Sequence, residues 1–323
     1  MGDSPINVKK ILPFSGFVIA PLFLFYTCWH MDWNEFISVL KNIETKWALA
    51  MMFALLASMF LRSLRWQIIA ALPWSDTGKV WKASCAGYFG SAIYPAKAGE
   101  VLKIVRIQQL TGIRGGEAVV SALFDRIIDA ITLFLLLAIL VSTKSGYFNV
   151  SSTTKIAIWG LIVLLTGVTF YCIGERRLEQ FWLWIASKNK MGKWLYTMYQ
   201  EFLAGLQLLK LKRFIAPCLI LQLIITFLDV AACWLLFYAL GWTELPIIAA
   251  VTVLVYLAAI FCVPATPGYI GVYQIAAIFA LASFGINKSE AVVYGTVFQI
   301  IAFILAVGVE VERKLNQFLL KFF

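Results

Sequence analysis

The chain has 323 residues, 62% of them hydrophobic and only 14% charged, with a mean hydropathy of +0.86. One soluble core of this length cannot bury so much apolar surface, so a soluble enzyme or binding module is excluded and an integral membrane protein is predicted. The net charge of +10 is assigned to membrane topology and anionic headgroups, and nucleic acid is not expected as a partner.

Several apolar runs reach the roughly 20 residues that a helix needs to cross a hydrocarbon core of about 30 Å, and none shows the ten-residue alternation of a membrane barrel. The first, about 11–30, follows "MGDSPINVKK" without a small-residue cleavage site and reads as a retained span, not a signal peptide. The next spans are placed at about 47–71, 117–142, 155–173, 214–240 and 289–311. Two further apolar segments, about 79–110 and 246–284, are interrupted near the middle by one spelling, Pro-Ala-x-x-Gly. It reads Pro95 to Gly99 in "AIYPAKAGEVLKIV" and Pro264 to Gly268 in "FCVPATPGYIGVYQIA". Proline removes a helix donor and glycine relaxes the backbone, so Pro95, Pro264, Pro267 and Gly271 should split each segment into two half-helices.

Basic residues set the orientation. If the six long segments cross and the two broken ones turn back, only Lys41, Lys46, Lys144, Lys155 and Lys288 fall on one side. Nearly all other Lys and Arg fall opposite, which makes both termini cytoplasmic in a multi-pass inner-membrane protein. The predicted fold is therefore all-α and polytopic, with six transmembrane helices and two re-entrant hairpins in an inverted-topology repeat. Interrupted helices that meet near the midplane form the substrate site in many transporters of this plan. The expected organisation is an N-terminal helix and external loop over 1–46, and a first repeat of span, hairpin and span over 47–142. A linking helix and basic, amphipathic cytoplasmic connector follow over 143–213, then the inverted repeat over 214–312 and a tail over 313–323.

Ionisable groups inside spans cost about 2.5 to 3.5 kcal/mol each on insertion scales, so each needs a partner or a role. Asp125 and Asp129 in "SALFDRIIDAITLF" are four apart and share a helix face, with Arg126 beside them, and this cluster is a candidate cavity wall. Lys97 lies in the first break, Glu100 begins the second half-helix and Lys103 follows a turn later. Unpaired N–H groups at that half-helix N-terminus suit an anionic head such as phosphate. Arg62 and Arg65, taken alone, read as snorkelling anchors at the end of their span. The second break offers Thr266 and Gln274 but no charge, and Asp229 has no partner legible from sequence. The cysteines, Cys28, Cys85, Cys172, Cys218, Cys233 and Cys262, form no CxxC and His30 is the single histidine, so no metal site, disulfide framework or cofactor is expected.

Together "LRSLRW", "YPAKAGEVLKIVRI", "LFDRIIDAI" and "PATPGYIGVYQ" resemble the lysylphosphatidylglycerol synthase transmembrane region, or flippase-like domain, over about residues 47–312. That domain occurs in stand-alone proteins and as the N-terminal half of the multiple peptide resistance factor. The resemblance implies lipid translocation and implicates Arg62, Arg65, Pro95, Gly99, Glu100, Asp125, Arg126, Asp129, Pro267, Gly268 and Gly271. Lys97 stands where the family usually has arginine, Asp125 where it has glutamate, and Gln274 where it most often has glutamate. The chain lacks the soluble aminoacyl-transferase domain, so lipid synthesis is not inherited with the resemblance. The expected function is translocation of a phosphate-bearing lipid headgroup, with Arg62, Arg65, Lys97, Gly99, Glu100, Lys103, Asp125, Arg126, Asp129, Thr266, Gly268 and Gln274 as the candidate binding set. The alternatives are a membrane-embedded transferase and an accessory subunit of a lipid-synthesis complex. Membrane lipids are the expected partners, with a lipid-synthesis enzyme or a second copy as further ones.

Overall fold

A computed structural model describes residues 33–94, 98–142, 215–260 and 267–319. The predicted spans at 11–30 and 155–173, the connector, and Pro95, Lys97, Pro264 and Thr266 lie outside the described residues. The described α-helices are α1 (Trp33–Lys41), α2 (Thr45–Ile69), α3 (Thr77–Ile93), α4 (Ala98–Thr111), α5 (Gly115–Ser142), α6 (Ile215–Ala239), α7 (Ile247–Ile260), α8 (Val272–Leu281) and α9 (Lys288–Leu319). Among the described residues there are no strands. Among the described residues three stretches, Thr45–Ile69, Ala216–Ala239 and Lys288–Val309, are long and apolar enough to cross a membrane. Helix α5 has ample length at 28 residues, but Glu117, Asp125, Arg126 and Asp129 charge its first half.

Both interrupted segments resolve into helix pairs, α3 with α4 and α7 with α8, each divided where the Pro-Ala-x-x-Gly spelling falls. Where the sequence suggests only loop before α2, Phe36, Val39 and Leu40 recur at helical spacing and pack on the core, and α1 forms.

The described residues group into two compact units, the first drawn from Met1–Ser58, Ser84–Lys103 and Phe227–Phe323, the second from Met59–Ala83 and Ile104–Thr226. In the first unit α8 packs against α7 and α9, and α9 packs against α1. Its core takes Leu236 and Phe237 from α6, Ala249, Ala250, Val253 and Leu257 from α7, Ala276, Ala277 and Ala280 from α8, and Tyr294, Val297 and Phe298 from α9. The sets from α7, α8 and α9 recur at spacings of three and four residues, as one buried helix face requires. Alanines at the α7–α8 contact let backbones approach closely, a way for helices to gain van der Waals contact where lipid gives no hydrophobic drive. At the α8–α9 crossing the approach is closer still, since a Cβ on Gly295 would lie 2.7 Å from Gln274 Cα and from the Tyr273 carbonyl oxygen. Tyr294 Oη donates to the Cys233 carbonyl at 2.9 Å, which satisfies its buried hydroxyl.

The first unit also holds the end of α3 and the start of α4. A Cβ on Gly87 would lie 2.9 Å from Lys103 Cβ, one on Gly90 would lie 2.9 Å from Gly99 Cα, and one on Gly99 would overlap Gly87 O and Ser91. Residues 87 to 91 thus face residues 103 to 99 in reverse order, and the two helices fold back on each other over a seam of small residues.

The second unit packs Trp66, Val80, Ala83, Ile107 and Ala118 in one cluster and Ile68, Ile69, Val120, Phe124 and Cys218 in another. Trp66 Nε1 donates to Ser121 Oγ at 3.0 Å, so the buried indole is satisfied and α2 is fixed against α5.

Candidate functional site

In the second unit, α2 and α5 bring five of the expected charges together. Arg65 is 0% exposed. Its Nε and Nη2 donate to Asp125 Oδ1 at 2.9 and 2.7 Å, and Nη2 also reaches the Asp125 carbonyl at 3.3 Å. Nη1 donates to Asp129 Oδ1 at 2.9 Å and to Gln222 Oε1. Arg62 Nη1 meets the same Asp129 oxygen at 3.0 Å, while Arg126 reaches Asp129 Oδ2 at 3.1 Å and Asp125 Oδ2 at 3.6 Å. Helical spacing explains the convergence: Arg62 and Arg65 are one turn apart on α2, and Asp125 and Asp129 one turn apart on α5.

Arg65 is therefore not a snorkelling anchor. A guanidinium with no exposure is tolerable only when carboxylates and further acceptors satisfy its donors, and the fork geometry does that here. Among the described residues the cluster joins three arginines to two aspartates, and Arg126, with 47% of its side chain exposed, is the most accessible of the three guanidiniums. Gln222 is the member that the sequence reading missed; its signal is an isolated amide in the apolar run "CLILQLIITFLD".

The first unit contains the two breaks. Gly99 is buried at the start of α4, Glu100 lies in that helix's first turn and Lys103 is buried beside Gly87. On the other segment Pro267–Tyr269 form a 3-10 turn, and Gly268, Tyr269 and Gly271 have φ of 70°, 54° and 83°. Gly268 and Gly271 supply left-handed backbone that a side chain resists, and Tyr269 adopts it without that freedom. Gly268 lies close to the end of α3: a Cβ on it would lie 3.8 Å from the Ala92 carbonyl oxygen.

Gln274, in the first turn of α8, ties the second break to α9. Its Nε2 donates to Thr296 Oγ1 at 3.1 Å and to Gln299 Oε1 at 2.9 Å, and Gln299 Nε2 donates to the Gly268 carbonyl at 2.7 Å. Asp229 accepts a bond of 2.5 Å from the buried Ser58 hydroxyl, both near the middle of their helices. Among the described residues no group of three or more His, Cys, Asp or Glu is placed to hold a metal ion.

The family profile described as "Lysylphosphatidylglycerol synthase TM region" matches residues 14–309. The chain belongs to that family. It is a multi-pass membrane protein of a family connected with lipid handling. No curated protein and no solved structure matches the chain.

Proposed function

We propose that the protein translocates a phosphate-bearing lipid across the cytoplasmic membrane, with both termini cytoplasmic and the two helix pairs as re-entrant hairpins. The observation that carries this reading is the approach of Gly268, where the second segment is interrupted, to the Ala92 carbonyl at the end of α3. Non-helical backbone at membrane depth persists only where protein buries it or a wet cavity needs it, and paired discontinuous helices are the usual substrate element of transporters. The convergence of Arg62, Arg65 and Arg126 supports a phosphate as the recognised group. Guanidinium forks match phosphate geometry, and Arg126 is the half-exposed guanidinium of the cluster. Acyl or prenyl chains would stay in the bilayer while the headgroup crosses.

The test uses the purified full chain in liposomes carrying an acyl-labelled anionic phospholipid, with transfer between leaflets read by loss of dithionite-accessible fluorescence. The chain should accelerate transfer over protein-free liposomes, and Arg126→Ala should slow it about tenfold or more, the loss of one charge-assisted bond. Transfer at the protein-free rate would overturn the reading, and an undiminished rate in Arg126→Ala would remove the cluster from it.

A further inference from the structure

The amide network at the second break has a direction. The Gly268 carbonyl only accepts, so Gln299 must face it with Nε2, and Gln299 Oε1 is then left to accept from Gln274 Nε2. The second hydrogen of Gln274 Nε2 goes to Thr296 Oγ1, whose own hydrogen goes to the Val292 carbonyl at 2.7 Å. Both amide orientations are thereby fixed by bonding chemistry. Gln274 Oε1 remains over, buried and without a hydrogen-bond partner among the described residues, in a side chain 8% exposed. Buried acceptors are rarely left so, because the lost hydration is not recovered. Gln299 bridges the Gln274 carboxamide and the Gly268 carbonyl, which ties the carboxamide to the residues that follow the break.

We infer that Gln274 Oε1 is a recognition point at the second break for an uncharged hydroxyl of the lipid headgroup. This rests on the translocase reading and names the chemistry that this break selects. The network of Gly268, Gln299, Gln274 and Thr296 contains no ionised group. An ammonium buried against the amide would therefore lack compensation, whereas a hydroxyl completes the pairing without one. The partner set also demands an amide at this position: Gln274→Glu would face Gln299 Oε1 and Thr296 Oγ1 with no hydrogen to give.

The experiment compares acyl-labelled phosphatidylglycerol with acyl-labelled phosphatidylmethanol in proteoliposomes of the full chain. The two share the phosphate charge and differ in the headgroup hydroxyls. The readout is the ratio of their transfer rates, expected at about tenfold in favour of phosphatidylglycerol, since a site built to bond a hydroxyl rejects an analogue without one. Gln274→Met should bring the ratio to about one, whatever the absolute rates. Gln299→Met, which frees the Gln274 amide to turn, should lower it independently if the first variant does not fold. A parent ratio near one, or a ratio that both variants leave unchanged, overturns the inference and leaves Gln274 Oε1 to a buried water. If the parent moves neither lipid, the translocase reading fails by itself, and recognition is read by thermal shift with the dihexanoyl forms of the two lipids. A larger shift with phosphatidylglycerol that Gln274→Met abolishes supports the inference, and equal shifts overturn it.

Discussion

Replacing Asp125 by leucine isolates the role of the buried ion pair. The substitution removes both carboxylate bonds that Arg65 makes at 2.9 and 2.7 Å, while its bonds to Asp129 at 2.9 Å and to Gln222 persist. Breaking a buried pair from one side costs about 3 to 5 kcal/mol, because the surviving charge stays desolvated. With Asp129 left as a second carboxylate, the expected loss is at the lower end, about 3 kcal/mol. Arg65→Met should cost about as much, since Asp125 is 1% exposed and Arg126, a second cation beside it, is 3.6 Å away. The double variant Arg65→Met/Asp125→Leu removes both charges from the interior and should fall within about 1 kcal/mol of the parent. Reversible unfolding of the detergent-solubilised protein in mixed micelles measures all four members of the cycle. Additive losses, with the double variant near the sum of the singles, would refute a mutually dependent buried pair.

Three further substitutions probe the helix seams and the site. Gly99→Ala would drive a methyl into Gly87 O and Ser91, and should lower the yield of monodisperse protein sharply by size-exclusion chromatography. Gly78→Ala, in α3 with nothing within 4 Å of the added methyl, should leave that profile intact and raise the unfolding temperature slightly. Gly295→Ala places its methyl 2.7 Å from backbone atoms of α8, which must shift, for an expected loss of about 1 to 3 kcal/mol by the same mixed-micelle unfolding. Arg126→Ala should change that stability by less than about 1 kcal/mol, because its ion pairs are half in solvent, so any large loss of lipid transfer in this variant is functional.

What could be read in the sequence was what local chemistry dictates. Proline with glycine breaks a helix wherever it falls, and both Pro-Ala-x-x-Gly stretches separate helices as expected. The Asp125 to Asp129 spacing likewise put two carboxylates on one face, and both carboxylates meet Arg65. Partners distant in the chain were not legible. Arg65 lies 60 residues from Asp125 and 157 from Gln222, and no periodicity distinguishes a basic residue that snorkels from one that folding buries. Ser58 and Asp229, 171 residues apart, show the same limit. Gln299 had only a faint signal, a single amide in "TVFQIIAF", and its meaning depends on the carbonyl of Gly268 that it reaches. The absence of charge at the second break was visible, but the reason that an amide is required there was not, because it resides in the direction of hydrogen bonds.

A reversible cross-link between the end of α3 and Gly268 tests directly whether a lipid headgroup crosses there. Ala92→Cys and Gly268→Cys in a background without the six native cysteines place two thiols at the observed approach. Lipid transfer in proteoliposomes is then measured before oxidation, after it, and after reduction. Oxidation is expected to form the intramolecular disulfide and stop transfer, and a reductant to restore it. Transfer at the full rate by fully cross-linked protein would contradict a crossing there.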